Sequence, residues 1–222
     1  VTQSVYVSRP DDESLGTVLV LHEAFGVTPW LLRVCDDLAD RGYTAVAPTL
    51  YEGGEVFAYD DLAGARRILG TLSMEGVLQA CDGALAEVGA DWSATGVVGY
   101  CIGGLLAYGV ATQRACAAAV SFYGGPVDVQ RLPDLSPMTE LVRKVRAPWL
   151  GLYGARDTFI PVPSVQALAD HLGGEGRCSS ALLIYDADHG FACDDRPEVY
   201  DPEAAALSWQ EMLDWFAEHL MP

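Results

Sequence analysis

Apolar positions along the chain fall into two rhythms that alternate from one end to the other. Short runs of small or branched apolar residues occupy 17–21, 43–47, 96–99, 117–122, 149–153 and 181–185, with the length and make-up of strands buried on both faces. Between them, at 30–40, 74–88, 101–112, 164–172 and 202–220, apolar residues recur every third or fourth position, as on one face of a helix. The opening Val1-Thr2-Gln3-Ser4-Val5-Tyr6-Val7 alternates and reads as one more strand. Repeated strand–helix units predict an α/β fold, a mostly parallel central sheet with helices on both faces. Two irregular stretches rich in glycine and proline, 48–60 and 123–137, break the rhythm without a shift in composition. They are expected to be pocket loops, and residues 1–222 a single domain.

Charge narrows the set of partners. Thirty-one acidic against thirteen basic residues give a formal net charge of −18, and such a surface repels phosphate backbones and anionic lipids. Nucleic acid and membrane are therefore not expected as partners; a small molecule is, with the protein a monomer or small homo-oligomer. The uncharged stretch 92–113 carries glycines and a polar turn in its middle, so it reads as strand, turn and buried helix rather than a membrane span. No basic segment followed by an apolar one opens the chain, which leads us to expect a cytoplasmic protein. Six cysteines without a C-x-x-C pair predict reduced thiols, with no metal site and no cofactor.

In a parallel sheet, ligands sit beyond the carboxyl ends of the strands. After the run at 96–99 comes Gly99-Tyr100-Cys101-Ile102-Gly103-Gly104, a sharp strand-to-helix turn in which small residues flank a nucleophile because two backbones approach closely. The helix starting there would favour a thiolate at Cys101 and offer the Ile102 N–H to an oxyanion. Gly154-Ala155-Arg156-Asp157 follows the run at 149–153, and Asp186-Ala187-Asp188-His189-Gly190-Phe191 follows that at 181–185. The order nucleophile, acid, histidine is that of the α/β-hydrolase fold. His189 would shuttle the proton and Asp157 fix its tautomer; Asp186 and Asp188 are alternative acids, and a turn-capping role is the simpler reading of Asp157 alone. His22 and Glu23 end the first long strand, where this fold places its second oxyanion N–H. His171 and His219 are expected on solvated helix surfaces. Cys35, Cys81 and Cys116 read as packing residues and Cys178 as a loop thiol, leaving Cys193 near the expected site.

Taken together, His22-Glu23-Ala24-Phe25-Gly26, Gly99-Tyr100-Cys101-Ile102-Gly103-Gly104, Gly154-Ala155-Arg156-Asp157 and Asp188-His189-Gly190-Phe191 resemble the dienelactone hydrolase (carboxymethylenebutenolidase) family along nearly the whole chain. The resemblance implies a Cys101-His189-Asp157 triad. It implies that Glu23 takes or holds the thiol proton, and that the Ala24 and Ile102 N–H groups form the oxyanion hole. The expected reaction is hydrolysis of a small activated ester or lactone through a thioester; an acyltransferase on the same cysteine and a non-catalytic ligand-binding protein are the alternatives. Candidate substrate contacts are Phe25, Arg66, Arg67, Tyr123, Cys193 and Arg196. The chain departs from the family where an arginine is expected shortly after the histidine and Cys193 stands instead, which puts dienelactone itself in question as the substrate.

Overall fold

The computed structural model describes residues 5–172 and 178–220. Seven strands form one sheet: β1 (Val5–Ser8), β2 (Thr17–Leu21), β3 (Thr44–Pro48), β4 (Thr95–Tyr100), β5 (Ala118–Phe122), β6 (Trp149–Gly154) and β7 (Ser180–Tyr185). Their spatial order is β1-β3-β2-β4-β5-β6-β7. Every neighbouring pair is parallel except β1 with β3, which is antiparallel. The first four residues of the expected opening strand lie outside the described residues, and its remainder is this edge strand.

The helices are α1 (Pro29–Asp40), α2 (Leu62–Leu69), α3 (Met74–Val88), α4 (Ile102–Gln113), α5 (Met138–Leu141), α6 (Val162–Leu172) and α7 (Pro202–Leu220). Alternation along the strands sends side chains to opposite faces. Leu19, Leu21, Val97 and Ala119 join a core with α3, α4 and α6. Val18, Val20, Val98 and Val120 join a second core with α1 and α7. Both faces of the sheet are thus covered.

Local chemistry sets the helix ends. Thr28 caps α1 by accepting from the Leu31 N–H, with Pro29 in the first turn, where its missing N–H costs nothing. Ser73 caps α3, which stops at Gly89 in the left-handed conformation. Helix α4 is buried from Ile102 through Thr112, which explains the long uncharged stretch. Among the described residues, no helix is long and apolar enough to cross a membrane. Helix α2 was not expected from the sequence: at eight residues it is short, although Leu62, Ala65, Ile68 and Leu69 recur at helical spacing and Ile68 and Leu69 pack on the core.

The junction of β4 and α4 is where backbones come closest. A Cβ on Gly99 would overlap the Gly103 carbonyl, one on Gly103 the Leu21 carbonyl, and one on Gly104 would crowd Gly124. Ser121 braces the same junction, accepting from Trp149 Nε1 at 2.9 Å and donating to the Gly104 carbonyl at 2.7 Å. Gly103→Ala is expected to destabilise the protein by about 2 kcal/mol or more, since neither backbone has room to move. A fall in the urea midpoint with an unchanged slope checks this.

Candidate active site

Cys101 occupies the turn between β4 and α4 with φ 55° and ψ −118°, a conformation that costs a non-glycine residue of order 1–3 kcal/mol and is held only when its surroundings leave no alternative. Those surroundings are the flanking glycines and a hydrogen bond from the Cys101 N–H to the Phe122 carbonyl at 3.0 Å. The turn leaves Cys101 partly exposed at the carboxyl edge of the sheet, while the rest of β4 is buried.

Asp157 and His189 arrive on the two neighbouring loops. The loops are tied together by the Ala155 N–H on the Tyr185 carbonyl (2.7 Å) and the Arg156 N–H on the Ala187 carbonyl (3.0 Å). Asp157 Oδ1 accepts from the Phe159 and Ile160 N–H groups at 2.7 and 2.9 Å, while its Oδ2 accepts from His189 Nδ1 at 2.7 Å. The carboxylate therefore caps its own turn and holds the imidazole at once. His189 Nε2 lies 3.2 Å from Cys101 Sγ. Burial by itself disfavours the imidazolium, but the facing sulfur and the Asp157 carboxylate outweigh it and raise the His189 pKa. Asp186 and Asp188 instead bind Arg156, at 2.6 and 3.4 Å.

The segment after β2 forms the opposite wall. His22 is fully buried; its Nδ1–H donates to the Glu23 carbonyl at 2.6 Å and its Nε2 accepts from the Leu50 N–H at 3.2 Å. Burial holds its pKa down at about 4, so the ring is a neutral brace between the β2 and β3 loops. Tyr51, which the sequence reading missed, donates to the Ala24 carbonyl at 2.8 Å and fixes that peptide. Gly26, at φ 85°, lets the chain turn beneath the Glu55 carbonyl.

Glu23 is buried, and neither carboxylate oxygen has a hydrogen-bond partner. Burial raises its pKa, against the pull of Arg196, His189 and the nearby Tyr123 hydroxyl. Tyr123 is also fully buried, with φ 38°, and its ring packs edge-on against His189 and Phe191 at 5.1 and 5.2 Å. It supports the site from behind rather than facing the opening.

Of the remaining candidates, Phe25, Cys193 and Arg196 gather around Tyr59. Arg66 and Arg67 lie exposed on α2. Cys193 is buried with its thiol on the Tyr59 hydroxyl at 3.6 Å, and burial followed by Glu23 pushes its pKa up to about 12. Arg196 stacks on Phe25 and Tyr59 at 5.6 and 5.9 Å. All six cysteines are free thiols, and no group of potential metal ligands occurs among the described residues. His219 departs from expectation: it is partly buried and packs edge-on against Trp215 at 4.5 Å, its neighbour four residues back on the same face of α7.

A sharp strand-to-helix turn carrying Cys101 after the central strand β4, with Asp157 and His189 in the loops that follow β6 and β7 of a mostly parallel sheet, matches the α/β-hydrolase fold. Comparison with known proteins narrows this. The model of the dienelactone hydrolase family matches residues 4–220. The carboxymethylenebutenolidase of Pseudomonas sp. strain P51 is 30% identical over 216 residues, covering 89% of this chain and 82% of its own. A Klebsiella pneumoniae protein provisionally named a dienelactone hydrolase superposes with a TM-score of 0.89 at 32% identity, over 98% of this chain and 93% of the other. An acylaminoacyl peptidase of Pyrococcus horikoshii (TM-score 0.71, 18% identity, 97% of this chain and 39% of that one) shares the fold. The chain belongs to the dienelactone hydrolase family, and so to the ester- and lactone-hydrolysing enzymes.

The environment of Glu23 has a measurable consequence. A carboxyl whose folded pKa lies above its unfolded value of about 4.5 binds its proton more tightly when folded, so stability is lost as pH rises through the folded pKa. Glu23→Gln removes that loss. Its urea midpoint is expected to exceed that of the wild type at pH 7, with the gap closing towards pH 4.

Proposed function

We propose that this protein hydrolyses small activated esters or lactones through a thioester on Cys101. The observation that carries the reading is the continuous line from Asp157 Oδ2 through His189 to Cys101 Sγ, with contacts of 2.7 and 3.2 Å. In the first step the Cys101 thiolate attacks the carbonyl carbon, and the electron pair moves to oxygen, where the Ile102 and Ala24 N–H groups would receive it. Collapse breaks the acyl–oxygen bond, and the leaving oxygen takes a proton from the His189 imidazolium. His189, now neutral, takes a proton from water as the water attacks the thioester; collapse of the second oxyanion expels the Cys101 thiolate and frees the acid. Asp157 holds the Nδ1–H tautomer throughout. Glu23, favoured in its protonated form by burial, stays neutral in this cycle, and the thiol proton is the one that His189 carries to the leaving oxygen.

The strongly acidic chain suits small-molecule work without nucleic acid. We place the protein in the cytoplasm, as a monomer or small homo-oligomer.

Cys101→Ala is expected to lower kcat/KM for an aryl acetate by ~10³-fold or more, and Asp157→Asn by ~10²-fold or more through loss of the oriented tautomer. Cys193→Ala is expected to leave kcat within a few-fold. Intact-protein mass spectrometry of His189→Asn mixed with an aryl ester should show a single acyl adduct, lost on adding Cys101→Ala. Undiminished turnover by Cys101→Ala would exclude the mechanism.

A further inference from the structure

Resting on that ester chemistry, we propose that the site selects uncharged substrates with an apolar acyl or leaving group, and that Phe159 is the side chain against which this group packs. Phe159 is 68% exposed, more than any other large hydrophobic side chain among the described residues. Single exposed apolar residues are ordinary on a surface; this one is distinguished by its position. Its N–H is held by Asp157 Oδ1 at 2.7 Å, and its ring meets the His189 ring edge-on at 5.3 Å. The hydrogen bond fixes the Phe159 backbone within the turn that orients the imidazole, and the ring contact sets a water-exposed phenyl group beside His189. On the oxyanion side, the segment bearing Val56, 53% exposed, lies over Gly26 and is pinned by the Phe57 N–H on the Phe25 carbonyl at 2.9 Å.

Cations near the site are already engaged. Arg156 faces Asp186, Asp188 and Asp201 at 2.6, 3.4 and 3.7 Å. Arg196 is stacked on Phe25 and Tyr59, paired with Glu198 at 3.4 Å and opposed by Glu23. A substrate carboxylate would thus enter a chain of net charge −18 with neither Arg156 nor Arg196 free to pair with it, at a desolvation cost. An alkyl or aryl group would release water from Phe159, worth roughly two- to fourfold in kcat/KM per methylene.

The test compares p-nitrophenyl esters from acetate to hexanoate with carboxylate-terminated esters of matching length. Neutral esters are expected to gain with each methylene and to exceed their anionic counterparts at least tenfold. Phe159→Ser should flatten the chain-length slope, and Phe159→Leu should restore part of it. Alkylation of Cys101, followed by peptide mass mapping, supplies a readout independent of hydrolysis, with the partly exposed Cys178 as internal reference. Relative to Cys178, Cys101 should favour iodoacetamide over iodoacetate and N-phenylmaleimide over N-methylmaleimide, the second preference shrinking in Phe159→Ser. Ester turnover with equal or better use of the anionic esters, or with a slope untouched by Phe159→Ser, overturns the proposal and leaves the hydrolase reading intact. Absent turnover with both alkylation preferences present overturns the ester chemistry while supporting the selectivity; absent turnover without them overturns both.

Discussion

The constraint on which the rest of the site depends is the close passage of backbones where β4 turns into α4. Three glycines let the turn pass within contact of the Leu21, Gly103 and Gly124 backbones, and that crowding holds Cys101 at φ 55°. The strain is local, yet its consequence is directional. The sulfur is lifted off the carboxyl edge of the sheet while α4 begins immediately behind it, so the first free N–H groups of the helix point to the space in front of the thiol. One strand over, Tyr123 at the end of β5 is the second non-glycine residue with positive φ among the described residues, and its N–H on the Leu152 carbonyl at 2.7 Å prolongs the sheet's order past the strand end. Strain at both points is maintained by the two cores beneath them, which leave the junction no softer place to yield.

Placement of the partners follows from sheet order rather than from any contact between distant segments of sequence. β6 and β7 are parallel neighbours in register over six residues, so the loops that leave them run side by side. Two backbone hydrogen bonds and the Arg156 side chain, which reaches Asp186, Asp188 and Asp201, lock these loops to each other. Being about half exposed, those ion pairs contribute little stability each; their value here is geometric, in limiting how far the His189 loop can move relative to Asp157.

Strand and helix order, the nucleophile turn and the sequence positions of Asp157 and His189 were legible because each depends on local pattern: a buried apolar run, a cluster of small residues, a polar residue just past a strand. Helix α2 was not, since its periodic apolar residues, Leu62, Ala65, Ile68 and Leu69, span only two turns, too short a window to tell a helix from a loop. Tyr51 and Phe159 were invisible for a different reason. Their roles arise from pairing across the sheet order, Tyr51 on Ala24 and Phe159 on His189, and nothing in the neighbouring sequence of either residue encodes its partner. Arg196 was visible as a candidate cation, but its stacking on Phe25 and Tyr59 depends on how the 190–200 loop folds back, which hydropathy does not record. His219 likewise read as a surface residue because its helix-end position, not its packing on Trp215, is what sequence displays.

The two carboxyl groups at the site show how the fold assigns acid–base roles by environment alone. Asp157 sits where three donors converge, two backbone N–H groups and His189 Nδ1. Glu23 lies on the other side of the imidazole with no hydrogen bond and no water-exposed oxygen, an arrangement that suits a proton. Exchanging the two would defeat both, since a neutral acid at 157 would release the imidazole and a permanent anion at 23 would lie unpaired in the interior. Against that burial, Arg196, His189 and the Tyr123 hydroxyl, in that order, favour ionisation of Glu23. Two of these groups, His189 and Arg196, belong to one loop, so the charge on that carboxyl is coupled to where the loop sits.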